Sequence, residues 1–406
     1  MGITQTLLTT AKITNESARI LTNNLVFGRA ANRDYDSEFG VRNAKIGSTV
    51  NIRMPIRPRG RVGPVIDPTA IKEAYVPLSF TGPIGVDYVF NSTEMYFAID
   101  DFSNRFIRPA MVALANQIDL ALFNTLAANT GNTIGVPGGV LTKEAAADAV
   151  LLAQARLTEM GMPVDDGLAV EVNSPQFNAL LSGNNMRLFN DRAEVSDIYR
   201  KGRVGTYGGF EHYISNNVSR HTNGTFTGTP LVLGVGQSGN TLITDGWGAN
   251  SSLNVGDTFT IAGVGAVAPQ TYQALGYDQP FTVTAKTVTA GGVSTISISP
   301  AIDVGPGGGQ NVTAGPADNA ALTVLGTTGQ TFSQAIAFHR DALVLASADL
   351  DVPPNIEGSY MRDPDSGIGV RYIRQFDART DQWISRFDVM IAMGSLYPQL
   401  AVRIVS

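Results

Sequence analysis

Strict alternation marks residues 46–90. Val50, Ile52, Met54 and Ile56 are apolar, while Asn51, Arg53 and Arg57 fall on the opposite side. Val76, Leu78, Phe80, Ile84, Val86, Tyr88 and Phe90 repeat the same period. A period of two predicts a two-stranded ribbon with one apolar face. Pro77 and Pro83 lie on the odd side. Proline donates no ladder bond, so the return strand is expected to have an open edge. A two-stranded ribbon is marginal by itself in water. Its face and edge are therefore expected to find cover on another copy of the chain. The segment between the strands, from Arg57-Pro58-Arg59-Gly60-Arg61 to Lys72, reads as a stiff basic loop.

Helical spacing replaces alternation on either side of the ribbon. Ile13, Ser17, Ile20 and Leu21 predict an amphipathic helix within an N-terminal arm. Ile107, Met111, Leu114, Ile118 and Leu122 form a stripe along a long helix predicted over residues 101–128. Pro109 is expected to bend its first turns. An α/β pattern follows. Thr142 caps a helix ended by Gly161, residues 168–172 form a strand, and Ser174-Pro175 opens a second helix.

Composition changes near residue 223. From there to residue 330 the charged residues are Asp245, Asp257, Asp278, Lys286, Asp303 and Asp318, in a background of Gly, Thr, Val and Ser. Short β-prone runs bounded by glycine or proline predict an inserted all-β barrel. Strand patterns return at 342–346, 369–376, 383–393 and 400–405. The fold class is α+β. Its segments are an arm (1–45), an extended hairpin loop (46–90), the long helix with the first part of an α/β region (91–222), the insert (223–330) and a return to α/β (331–406).

The chain has 406 residues, 43% hydrophobic and 16% charged, with a net charge of −6. Length predicts two to three domains, and low charge predicts that much of the surface meets protein. The negative balance excludes a global pull toward nucleic acid. Cysteine is absent, which excludes disulfides and thiolate metal sites. No secretion signal is expected at Met1–Lys12, and no membrane span is expected from an unbroken apolar run.

Candidate chemistry is sparse. Gly234-Val235-Gly236-Gln237-Ser238-Gly239 matches a dinucleotide fingerprint by letter, but a strand-like run follows where a helix N-terminus is needed. His212 and His221 lack metal-ligand spacing. Asp363-Pro364-Asp365-Ser366-Gly367 lacks the further carboxylates of a calcium loop and reads as a turn. No catalytic residue, metal ligand or cofactor is assigned, and the chain is read as a non-enzyme.

The order of parts resembles the major capsid proteins of tailed bacteriophages, with the Hong Kong 97 (HK97)-like fold, and most of all the P22 coat protein type. The match runs through Ile107-Arg108-Pro109-Ala110, Ala115 to Asp119, Tyr199-Arg200-Lys201-Gly202, Gly208-Gly209-Phe210, Val255 to Val264 and Ala337 to Leu343. The resemblance implies a structural protein whose copies form hexamers and pentamers of an icosahedral head around double-stranded DNA. It also implies a scaffolding protein, a portal and assembly in the bacterial cytoplasm before residence in the virion. The extended loop would reach over a neighbour. Arg53, Arg57, Arg59 and Arg61 would then meet carboxylates there, with Asp349, Asp351, Asp363 and Asp365 as candidates. DNA contact would be non-specific. Two alternatives share parts of this pattern: the shell of an encapsulin-like nanocompartment, and a multidomain enzyme or carbohydrate-binding protein with a β-module.

Overall fold

The computed structural model describes residues 10–33, 49–54, 64, 75–91, 106–139, 142–163, 167–172, 175–176, 179, 206–288, 292–305, 309–363 and 367–406. The chain divides into two compact units. One gathers Met1–Ile52, Pro77–Leu122 and Val344–Gly394; the other gathers Arg53–Val76, Phe123–Leu343 and Ser395–Ser406.

The first unit is built on a sheet with the order Thr49–Arg53, Tyr75–Asn91, Gln382–Ser395, Gly369–Asp377, Glu357–Arg362. The alternation predicted for the return strand is present. Leu78 and Phe90 are buried, and Val76, Phe80, Ile84, Val86 and Tyr88 are half-buried. Tyr75, Pro77, Ser79, Pro83, Asp87 and Val89 are exposed.

The expected open edge is corrected over Phe80–Asn91. Those residues pair antiparallel with Gln382–Ala392 of the same chain, with Val86 opposite Phe387 and Ile84 opposite Val389. Apolar residues of the two strands thus share one face. Pro83 is accommodated at a register shift between Phe80 and Pro83, where a ladder bond is already interrupted.

Helix α1 (Thr10–Asn24) packs on Glu357–Arg362 and Gly369–Asp377. It buries Ile13, Thr14, Ser17, Ala18, Ile20 and Leu21, the face read from the sequence. Its buried hydroxyls are satisfied locally: Ser17 Oγ donates to the Ile13 carbonyl at 2.7 Å and Thr14 Oγ1 to that of Thr10 at 2.9 Å. A short helix α2 (Phe27–Ala30) follows.

The long helix α3 (Arg108–Asn129) is about 33 Å long at ~1.5 Å per residue. Every residue of the predicted stripe, Ile107, Met111, Leu114, Ile118 and Leu122, is buried. So are Ala110, Ala115, Phe123 and Leu126, so burial extends well beyond a narrow stripe. Pro109 lies in the first turn rather than interrupting the helix, and a wider π-type turn at Phe106–Ile107 leads into it. In the first turn the missing N–H of proline leaves few bonds unmade. The helix is long and apolar enough to cross a membrane by composition, but 56% of its most apolar window is buried.

The second unit contains a mixed sheet with the order Thr133–Gly135, Ala401–Val405, Gln334–His339, Leu168–Val172, Phe210–Ile214, Thr206–Tyr207. Helix α4 (Lys143–Glu159) packs against it. Thr142 caps α4 by accepting from the Ala145 N–H at 3.3 Å. Gly161, at φ +79°, ends it in the left-handed conformation expected of a C-terminal glycine.

The same unit holds a six-stranded barrel: Leu322–Val324, Thr258–Val267, Ala274–Val283, Ser294–Ile302, Gly239–Trp247, Gly228–Val232. A bridge between Leu231 and Ala321 closes it, with bonds of 2.9 Å from Val232 N–H to Ala320 and from Asn319 N–H to Val232. Closure removes the sheet edges. Val232, Leu242, Trp247, Phe259, Ile261, Phe281, Ile296 and Ile298 form its core. Gly239 begins a strand, so the Gly234–Gly239 run has no helix N-terminus to offer a phosphate.

Candidate assembly interface

The ribbon and the sheet that receives it present a charged odd face. In register, Asp87 stands opposite Arg386, Gly85 opposite Asp388, and Asp388 opposite Arg371. Asp388 is fully buried. It accepts from Arg371 Nη2 at 2.6 Å and from Arg386 Nε at 2.6 Å. Arg386 also lies 3.9 Å from the exposed Asp87. The Asp388 carboxylate raises the Arg386 pKa. Arg371 Nη1 donates to the Asp351 carbonyl at 2.8 Å. A buried carboxylate held by two arginines fixes strand register more surely than it adds stability.

The sequence candidates differ in their surroundings. Arg53 is exposed on the strand Thr49–Arg53. Arg57, Arg59, Arg61 and Asp365 lie outside the described residues. Asp349 is engaged within its own chain: it accepts from the Tyr360 hydroxyl and lies 3.6 Å from Arg362. Asp351 is exposed. Asp363 accepts from Thr22 Oγ1 of α1 at 2.8 Å. Sequence reasoning missed Asp87, Arg371, Arg386 and Asp388. The spacing Arg386-x-Asp388 on a predicted strand places both on one face and was the available signal.

A second polar assembly joins the barrel to the mixed sheet of its own unit. Arg403, on the C-terminal strand, is fully buried. Its Nη1 donates to the Gly256 carbonyl at 2.6 Å and to Thr258 Oγ1 at 3.2 Å, and its Nη2 donates to Gln334 Oε1 at 2.9 Å. Burial lowers its pKa to about 10, against the opposing pull of Asp257. Asp257 is buried beside His221 Nε2 at 2.8 Å and accepts from the Gly224 and Asn254 amides. The barrel also supplies hydroxyls to the end of α3. Ser299 Oγ donates to the Asn129 carbonyl at 3.2 Å and Thr282 Oγ1 to that of Ala128 at 3.4 Å. These carbonyls have no partner within the helix. Among the described residues no group of three or more His, Cys, Asp or Glu could hold a metal ion.

In the first unit, Asp119 in the middle of α3 is buried. Its carboxylate accepts from the Val26 N–H at 2.8 Å and the Gly28 N–H at 3.0 Å, with the Phe27 amide also bonded to it. Burial pushes its pKa up to about 6, against the lowering effect of those amides.

The model of the family described as "P22 coat protein - gene protein 5" matches residues 10–404. No match was found among curated proteins. A solved structure of Mycobacterium phage Che8 is 16% identical, with a TM-score of 0.48 and coverage of 94% of this chain and 90% of that one. The capsid of cyanophage P-SCSP1u is 11% identical, with a TM-score of 0.49 and coverage of 94% and 87%. The CUS-3 coat protein I-domain is 33% identical over 26% of this chain and 96% of its own length, with a TM-score of 0.17.

Proposed function

The chain belongs to the P22 coat protein family, and is thereby a major capsid protein forming the icosahedral shell of a phage virion; from that premise we propose how its copies meet. They join as hexamers and pentamers around double-stranded DNA, in the host cytoplasm, with a scaffolding protein and a portal as partners. Residues 46–90 act as the extended loop, α3 as a spine, and residues 223–330 as an insert that aids folding of the subunit or contacts between capsomers. The chain does no catalysis in this role.

One observation supports the loop assignment above others. On the even face of Tyr75–Asn91, Val76, Phe80, Ile84, Val86 and Tyr88 remain half-buried in the isolated chain even though the edge is paired over Phe80–Asn91. What a neighbour supplies is therefore cover for a face, and Arg53, Arg57, Arg59 and Arg61 meet its carboxylates. Exposed Asp351 is the readiest of the described candidates. Asp349 and Asp363 would have to share their present partners, and Asp365 completes the set. Many weak contacts of this kind sum to a stable shell. DNA contact rests on scattered arginines without base specificity and weakens with salt.

The test is the double substitution Arg57→Ala with Arg59→Ala. Shells fail to form at moderate salt while the subunit keeps its folded circular-dichroism spectrum. Normal assembly of the double variant overturns the arginine role. Nuclease-protected DNA in particles made during infection supports the genome as contents, and its absence there contradicts it.

A further inference from the structure

Beyond the end of α3, a cavity of about 40 Å³ lies between the helix exit, the inserted barrel and the C-terminal turn Pro398–Leu400. Every residue around it belongs to the second unit. Met160 and Val267 give it apolar walls, Asn132, Gln279, Asn311 and Gln399 give it amides, and no charged side chain lines it. Its helix side has no room to close further. Gly131 is pressed onto the barrel, where a Cβ would stand 2.6 Å from the Pro280 carbonyl.

Asn132 is 4% exposed and held from two directions. Its backbone carbonyl accepts from the Arg403 N–H at 2.8 Å, and its Nδ2 donates to the Gln399 carbonyl at 3.2 Å. The second bond fixes the side-chain amide, because a flip would set Oδ1 against a carbonyl oxygen. Oδ1 is thus the acceptor that Asn132 presents to the cavity it lines, and it is buried with no partner in the protein. The neighbouring amides are engaged. Asn311 Oδ1 accepts from the Asp303 N–H at 3.0 Å and its Nδ2 donates to the Ala301 carbonyl at 2.7 Å. Gln279 Nε2 donates to the Pro280 carbonyl at 3.0 Å.

A buried acceptor destabilises the fold unless a donor reaches it. That donor has to be small, because the space holds about two or three water molecules. It has to be neutral, because no side-chain charge is present to offset a desolvated ion. An apolar ligand would leave Oδ1 unmet.

We propose that this cavity is a hydration site of the fold: ordered water binds in it, donates to Asn132 Oδ1 and bridges the exit of the long helix to the barrel and the C-terminal turn. The amides of Gln279 and Gln399 line the same space and give such water the further polar partners it needs. The join between α3 and the barrel is then direct at the Thr282 and Ser299 hydroxyls and water-mediated at Asn132.

Two measurements on the full-length chain test this. High-resolution cryo-electron microscopy of its assembled form is expected to show a discrete peak about 2.5–3.0 Å from Oδ1, continuous with no chain. Magnetic relaxation dispersion of water in a solution of the subunit needs no assembly. Asn132→Leu has a similar shape but no acceptor, and is expected to lose at least one long-lived water relative to the parent, with circular dichroism reporting its fold. A bare Oδ1 in the density, a side chain of a neighbouring copy seated against it, or an unchanged number of long-lived waters in folded Asn132→Leu overturns the proposal. If Asn132→Leu does not fold, the density alone decides.

Discussion

Gly85 and Asp388 face each other across two paired strands so closely that a Cβ on Gly85 would lie 2.7 Å from the Asp388 carboxylate and 2.7 Å from the Phe387 carbonyl. Glycine is therefore required by close approach rather than by a turn. It leaves room for the carboxylate that Arg371 and Arg386 clamp. Gly85→Ala is expected to push Asp388 off one arginine and strain the ladder, at a cost of about 2 kcal/mol. Urea unfolding of the subunit measures this, and an unchanged midpoint contradicts the account.

Arg403 carries the join between the C-terminal strand and the barrel. Arg403→Met keeps much of the side-chain volume but leaves the Gly256 carbonyl and Gln334 Oε1 without their donor. A buried unsatisfied acceptor costs about 1–3 kcal/mol, so a loss on the order of 3 kcal/mol is expected. Thermal unfolding of Arg403→Met and Arg403→Lys checks it. Lysine restores one contact at most, so it is expected to recover part of the loss. Wild-type stability in Arg403→Met would show that the join does not depend on this residue.

The hydroxyls of Thr282 and Ser299 finish α3. Thr282→Val and Ser299→Ala each remove one donor to a helix-end carbonyl. Each is expected to lose about 0.5–1.5 kcal/mol, less for Thr282, whose bond is the longer at 3.4 Å. Hydrogen exchange localises the effect. Exchange is expected to rise in the last turn of α3 ahead of its middle.

Patterns confined to one element were legible in the sequence. The alternation from Val76 to Phe90, the stripe from Ile107 to Leu122, the cap at Thr142 and the stop at Gly161 all depend on neighbours within a few residues. The α+β class and the β-rich insert were legible for the same reason. What failed was pairing across distance. Pro77 and Pro83 argued for an open edge, yet the partner strand Gln382–Ser395 lies about 300 residues on and tolerates Pro83 at a register shift. The Asp388 clamp stayed hidden because Arg371 and Gly85 reach it only once register is known. Asp119 resembled any polar residue on a helix; that it receives the arm's amides is a tertiary fact. Asp349 and Asp363 show only their charge in the sequence; the partner that each has inside its own chain is visible only in the fold.

Sedimentation velocity of the protein co-expressed with a scaffolding partner, followed by electron microscopy of the fast fraction, shows whether this chain is a shell subunit. The account predicts closed particles of many copies with hexameric and pentameric clusters. A single slow species under all conditions of salt, pH and concentration, with no particles in any field, would contradict it.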